Sequence, residues 1–156
     1  MFPFIHGWTS IARSTQTNVR LGAVLSFVAG AANAGGFLAV GRYTSHMTGV
    51  MSSVADDLVL GHFDLVATGV GSLIAFVAGA MCTAMLVNWG LRRQLHSAYS
   101  LPLVVESLAL LVFGLFGAAI NSWASVFLPL TVILLCFMMG LQNAVITKIS
   151  HAEIRT

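Results

Sequence analysis

LVATGVGSLIAFVAGAMCTAMLVNWGL, residues Leu65–Leu91, carries no charged side chain from end to end. A helix needs about 20 mostly apolar residues to cross the hydrocarbon of a bilayer, and this run exceeds that. Working outward from it, Leu21–Val40 is a second such run, bounded by Arg20 and Arg42. Leu101–Ile120 is a third, with Pro102 and Glu106 near its start, and Ser125–Thr147 a fourth, closed by Lys148. Pro129 is expected in the first turn or so of that last helix, where a missing backbone donor costs least. Asn121-Ser122-Trp123 breaks the apolar sequence between the last two, because Leu108–Thr147 is roughly twice the length one crossing can use.

Composition points the same way. Of 156 residues 58% are hydrophobic and 8% charged, against about 25% charged in soluble domains. The mean hydropathy is +0.92. The expected fold is therefore all-α: an integral membrane helical bundle of about four transmembrane helices, near 21–40, 65–91, 101–120 and 125–147. Residues 1–20 read as a cytoplasmic tail and residues 21–156 as a single transmembrane domain. Gly41–His62 reads as a polar connector holding Arg42, His46, Asp56 and Asp57.

The lipid bilayer is the partner that composition names directly. A net charge of +2 without clustering argues against nucleic acid. Cys82 and Cys136 lie in apolar runs, where cysteine behaves as a small hydrophobe, and no spacing suggests a metal site or a cofactor. No phosphate-binding glycine loop or nucleophile–base set is present, so no enzyme is expected. With four crossings, Arg13, Arg20, Arg92, Arg93, Lys148 and Arg155 share one side, leaving Arg42 with Asp56, Asp57 and Asp64 on the other. Basic residues favour the cytoplasm, so both termini are expected there.

One feature exceeds composition. Gly30-Ala31-Ala32-Asn33-Ala34 recurs as Gly140-Leu141-Gln142-Asn143-Ala144. The two copies fall in the first and fourth helices, which cross in opposite senses, as an inverted repeat of three helices plus three requires. The sequence stops at Thr156 as the second copy would enter its connector. On this reading it is a fragment or truncated product of a roughly six-helix protein.

Tyr43-Thr44-Ser45-His46-Met47-Thr48-Gly49 and the paired segments around Asn33 and Asn143 resemble the YoaK-like family of bacterial membrane proteins, a domain of unknown function. The resemblance runs over essentially the whole chain and covers about two thirds of a typical member. It implies a multi-pass bacterial inner-membrane protein, often treated as a transporter, without an established substrate. Many members carry Asp where this chain has Asn33, and Asn where it has Val50.

Asn33 and Asn143 are the leading substrate-site candidates, since an amide inside a membrane helix can bind a polar solute through donor and acceptor alike. Taken singly, an interhelical hydrogen bond accounts for each; taken as a repeated pair, a shared site for an unknown small solute is equally supported. Gly35 and Gly36 would let the first helix unwind there. Thr44, Ser45, His46, Thr48 and Gly49 form a polar cluster suited to a substrate entrance or a re-entrant turn; composition alone favours a solvated loop, and the family resemblance favours function. Glu106, set in an apolar helix, is a candidate for proton coupling, against the simpler account of snorkelling to water or pairing with Arg92 or Arg93. The stripes Gly22, Ser26, Gly30, Ala34 and Gly71, Ala75, Gly79, Thr83 read as packing surfaces. The expected function is a small-solute transporter with a polar site between the first and fourth helices. The alternatives are a non-transporting scaffold or accessory protein, homo-oligomeric through such stripes, and a truncated inactive product.

Overall fold

The computed structural model describes residues 15–40, 44–95, 98–117 and 124–150. The tail Met1–Ser14, Arg42 and Tyr43, the break at Asn121–Trp123 and the Arg155-Thr156 end lie outside the described residues. Among the described residues five helices run in order: α1 (Thr15–Val40), α2 (Met47–Leu60), α3 (Phe63–Arg92), α4 (Ser100–Gly117) and α5 (Ala124–Ile149). No strand occurs among the described residues. The fold is an all-α membrane bundle. Among the described residues three helices are long and apolar enough to cross, with spans at Gln16–Leu38, Phe63–Arg92 and Pro129–Ile149, and α4 is a shorter apolar helix. Pro129 sits inside α5 rather than in its first turn. Having no N–H, it leaves the carbonyl one turn back without its helical donor.

The centre of the bundle is α5. Of its span 61% is buried, against 28% for α1 and for α3, and it touches α1, α3 and α4. On one side α1 runs antiparallel to it. Leu21 and Leu25 pack with Val145, Ile146 and Ile149, and Gln142 Nε2 donates to the Leu25 carbonyl. At the other end of the pair, a Cβ on Gly36 would lie 2.8 Å from Leu135 Cδ1. The opposite senses expected of the first and fourth crossings are thus present.

On its other side α5 runs parallel to α3, and here the backbones touch. A Cβ on Gly79 would overlap the Phe137 carbonyl oxygen, and one on Gly140 would overlap that of Phe76. Thr83 Oγ1 donates to the Leu141 carbonyl at 2.9 Å, and Lys148 Nζ to Asn88 Oδ1 at 2.9 Å. This is the small-residue close approach that drives helix pairing where lipid competes for apolar surface. The α3 stripe is the one read from sequence: Ala75, Gly79 and Thr83 are all buried. The α1 stripe differs. Ser26, Gly30 and Ala34 are exposed, because α1 turns Leu21, Leu25, Ala32 and Gly36 inward.

The region read as a polar connector contains a helix, α2. Its fourteen residues are too few to span, and its two aspartates mask the helical pattern of Val50 and Val54 facing Gly69. The helix stops at Gly61, whose φ of +78° is open to glycine at no steric cost. The N–H of Gly61 bonds the Leu58 carbonyl and that of His62 the Asp57 carbonyl, which is a Schellman turn. Helix α3 begins at once, so α2 and α3 form a tight hairpin.

By helix direction, Arg20, Arg92, Arg93 and Lys148 gather at one end of the bundle and Asp56, Asp57 and Asp64 at the other.

Candidate functional site

Asn33 holds the feature that organises the site. Its Oδ1 accepts from the Thr44 N–H at 2.9 Å and the Ser45 N–H at 3.2 Å, with Thr44 Oγ1 at 3.5 Å. Asn33 lies two turns before the end of α1, about 10 Å along the axis at 1.5 Å per residue. Thr44 and Ser45, just ahead of α2, therefore lie level with Asn33 rather than beyond the end of α1. At that depth Met47 packs on Ala75, Val132 and Cys136. Ala75 lies about 18 Å from the start of α3, near the middle of that helix. So α2 begins deep in the bundle and climbs back to the end where α3 starts. Non-helical backbone at such depth persists only where protein satisfies it, and the Asn33 amide does so. Thr44 is fully buried.

Two cavities flank this re-entrant point. One, of about 500 Å³, is an open space between α2 and α3, lined also by Phe37 and Val132. Its inner end carries His46 and Ser72, and its outer part Ser53, Asp56, Asp57 and Thr68. The other, of about 270 Å³, is lined by Ser26, Ala29, Gly30 and Asn33 of α1 with Ser45, Phe76 and Met139. A third space, of about 250 Å³, holds Asn143, Thr147 and Lys148 beside Phe76. The two repeat asparagines thus line neighbouring spaces with Phe76 on the wall of both, and Asn143 keeps a buried Oδ1 without a hydrogen-bond partner.

The remaining candidates fall as follows. Helix α1 runs unbroken through Gly35 and Gly36; Gly36 packs against Leu135 and Thr44, and a Cβ on Gly35 would meet nothing. His46 is exposed at the start of α2 and makes no side-chain cap bond, and Thr48 is exposed two residues on. Glu106 is 4% exposed and its Oε1 has no partner, so the expected pairing with Arg92 or Arg93 is not made. Arg93 instead lies over the Trp89 ring, 5.9 Å from its centroid.

The family model for a protein of unknown function, DUF1275, matches residues 21–156. The chain belongs to the DUF1275 family. No curated protein and no solved structure matches it. The resemblance to YoaK-like proteins read from Ser45-His46-Met47-Thr48-Gly49 and the two Asn-Ala segments agrees with that membership. In this DUF1275 chain the first of those motifs is the re-entrant point itself, and Asn33 is what holds it. Sequence reasoning missed Ser53, Thr68 and Ser72 as cavity residues. The signal was available only once α2 was a helix, since the α2–α3 hairpin is what sets them opposite each other.

Proposed function

We propose that the protein carries a small solute across the bacterial inner membrane at a polar site between α1 and α5, and that it transports rather than catalyses. The observation that supports this most is the deep start of α2, held by Asn33 beside two cavities. Helices that begin near mid-depth, with polar backbone facing a cavity, are how many transporters build a binding site. The repeated Asn33 and Asn143 segments on antiparallel helices accord with a three-plus-three inverted repeat, in which one half rocks against the other. In this reading both termini face the cytoplasm, where the Arg and Lys end of the bundle belongs, and residues 21–156 act as one transmembrane domain. Gly35, Gly36, Thr44, Ser45, His46 and Thr48 shape the approach to the site, and Glu106 is the group through which proton coupling would act.

The test is a proteoliposome uptake screen with the parent chain and the variants Asn33→Ala, Asn143→Ala and Glu106→Gln. Transport predicts saturable flux that falls at least tenfold in either Asn variant. Coupling through Glu106 predicts that Glu106→Gln abolishes the dependence of flux on a pH gradient. Absence of flux over a broad solute panel would refute transport and favour an accessory role.

A further inference from the structure

We propose that Glu106, Gln142 and Thr83 form a sodium site buried where α3, α4 and α5 meet. This deepens the transport reading, on which its role rests, by naming an ion that shares Glu106 with the proton.

Two deeply buried side chains here carry oxygens that bond to nothing. Glu106 is 4% exposed and Gln142 1%, and neither Oε1 has a hydrogen-bond partner. Helix register brings both level with Thr83, which is also fully buried. A Cβ on Gly90 of α3 would lie 3.0 Å from Ala98 Cβ and 3.4 Å from Leu101 Cδ1, so α3 and α4 meet there. Glu106 lies five residues after Leu101 and Thr83 seven before Gly90, about 8 and 10 Å along two helices that leave the same turn. Thr83 Oγ1 in turn bonds the carbonyl of Leu141, the residue before Gln142. Leu103 gives the same register against α5. It packs on the cluster that holds Val145 and Ile146, one turn from Glu106 as those two are one turn from Gln142.

The chemistry left at that level is lone pairs. The Thr83 proton is committed to the Leu141 carbonyl and Gln142 Nε2 to the Leu25 carbonyl, so hydroxyl and amide have only oxygen to offer, and a carboxylate accepts only. Three acceptors from three helices call for a cation, and oxygens suit a hard one. Among the described residues no Lys or Arg supplies it. Arg20 and Arg92 are exposed at the basic end, Lys148 donates to Asn88, and Tyr99 sits two turns from Glu106 toward that end. Asp64 is in the first turn of α3 and Cys136 packs with Ala75 and Val132. Cys82, beside Thr83, is the titratable group at this level, and a thiol is no cation. One carboxylate neutralises one positive charge, whereas a divalent ion would keep a net charge in an apolar interior, where charge is costly. A proton on Glu106 bridges to one other oxygen; sodium engages all three.

The experiment measures ion binding, not flux, so that it fails or succeeds apart from transport. The full chain is placed in nanodiscs in potassium buffer, and radiolabelled sodium is bound by scintillation proximity. Saturable binding should be displaced by unlabelled sodium but not by further potassium, and should weaken in acid as the proton takes Glu106. It should weaken at least tenfold in Glu106→Gln and in Gln142→Leu. Thr83→Ser keeps the oxygen and should bind as the parent does. Sodium should also raise the melting temperature of the parent by several degrees and leave that of Glu106→Gln unchanged, a readout that stands even where Gln142→Leu does not fold. No saturable binding by the folded parent, equal displacement by potassium, indifference to acid, or undiminished binding in folded Glu106→Gln overturns the proposal. Sodium binding without flux would leave it standing and remove transport; flux driven by a pH gradient with no sodium binding would do the reverse.

Discussion

Asn33 shows how a single amide can decide a chain's path through a membrane. Its Oδ1 takes the N–H groups of the fully buried Thr44 and the half-buried Ser45. Leaving a buried donor unpaired costs roughly 1–3 kcal/mol. Asn33→Ala should therefore lower the melting temperature of the detergent-solubilised protein by several degrees, as read by fluorescence-detected size exclusion after heating. Asn33→Asp keeps the acceptor and should recover most of the loss. An Ala variant as stable as the parent would mean that the return segment is held elsewhere. That Asn33 mattered was legible from its polarity within an apolar run. Its role was not, because the partners lie eleven and twelve residues on, beyond any helical period, and are joined only by the reversal of the chain.

At the scale of elements, the long helices were legible for a simple reason: lipid tolerates only uncharged runs, and these leave a plain mark in sequence. Helix α2 left none. It has two aspartates, none of its residues is buried, and its ends are set by Gly61 and by a contact from α1 rather than by its own pattern. Its depth can be tested by labelling. In a background of Cys82→Ser and Cys136→Ser, Ser45→Cys should react with an impermeant maleimide at least tenfold more slowly than His62→Cys. Similar rates would place both at the membrane surface. The α3–α5 contact gives a second test at this scale. Gly79→Ala or Gly140→Ala forces two backbones apart, an overpacking that costs about 1–3 kcal/mol or more. Gly30→Ala meets no atom and gains helix propensity, worth up to about 1 kcal/mol. Thermal stability should fall for the first two and hold or rise for the third, although Gly30 and Gly140 occupy the same place in the repeat.

The molecule as a whole has a polarity of charge. The Arg and Lys end and the aspartate end are separated by the length of the bundle, and the larger cavity opens from the aspartate half toward the middle. If the basic end is cytoplasmic, intact cells exposed to the impermeant maleimide should label His62→Cys and spare Gln94→Cys, with Gln94→Cys reacting only after permeabilisation. The reverse pattern would invert the protein and put the cavity on the cytoplasmic side.

The parallel contact of α3 and α5 also governs how the protein is made. Thr83 waits for a carbonyl 58 residues downstream, and Gly79 for a groove that does not exist until Gly140 has been synthesised. Until then α3 leaves the translocation machinery with its buried seam turned to lipid or to an insertase, and α4 must follow before the seam can close. A nascent chain halted short of Gly140 thus stays open along its most intimate interface, and membrane proteases that survey unassembled helices should clear it faster than one halted just beyond Ile149.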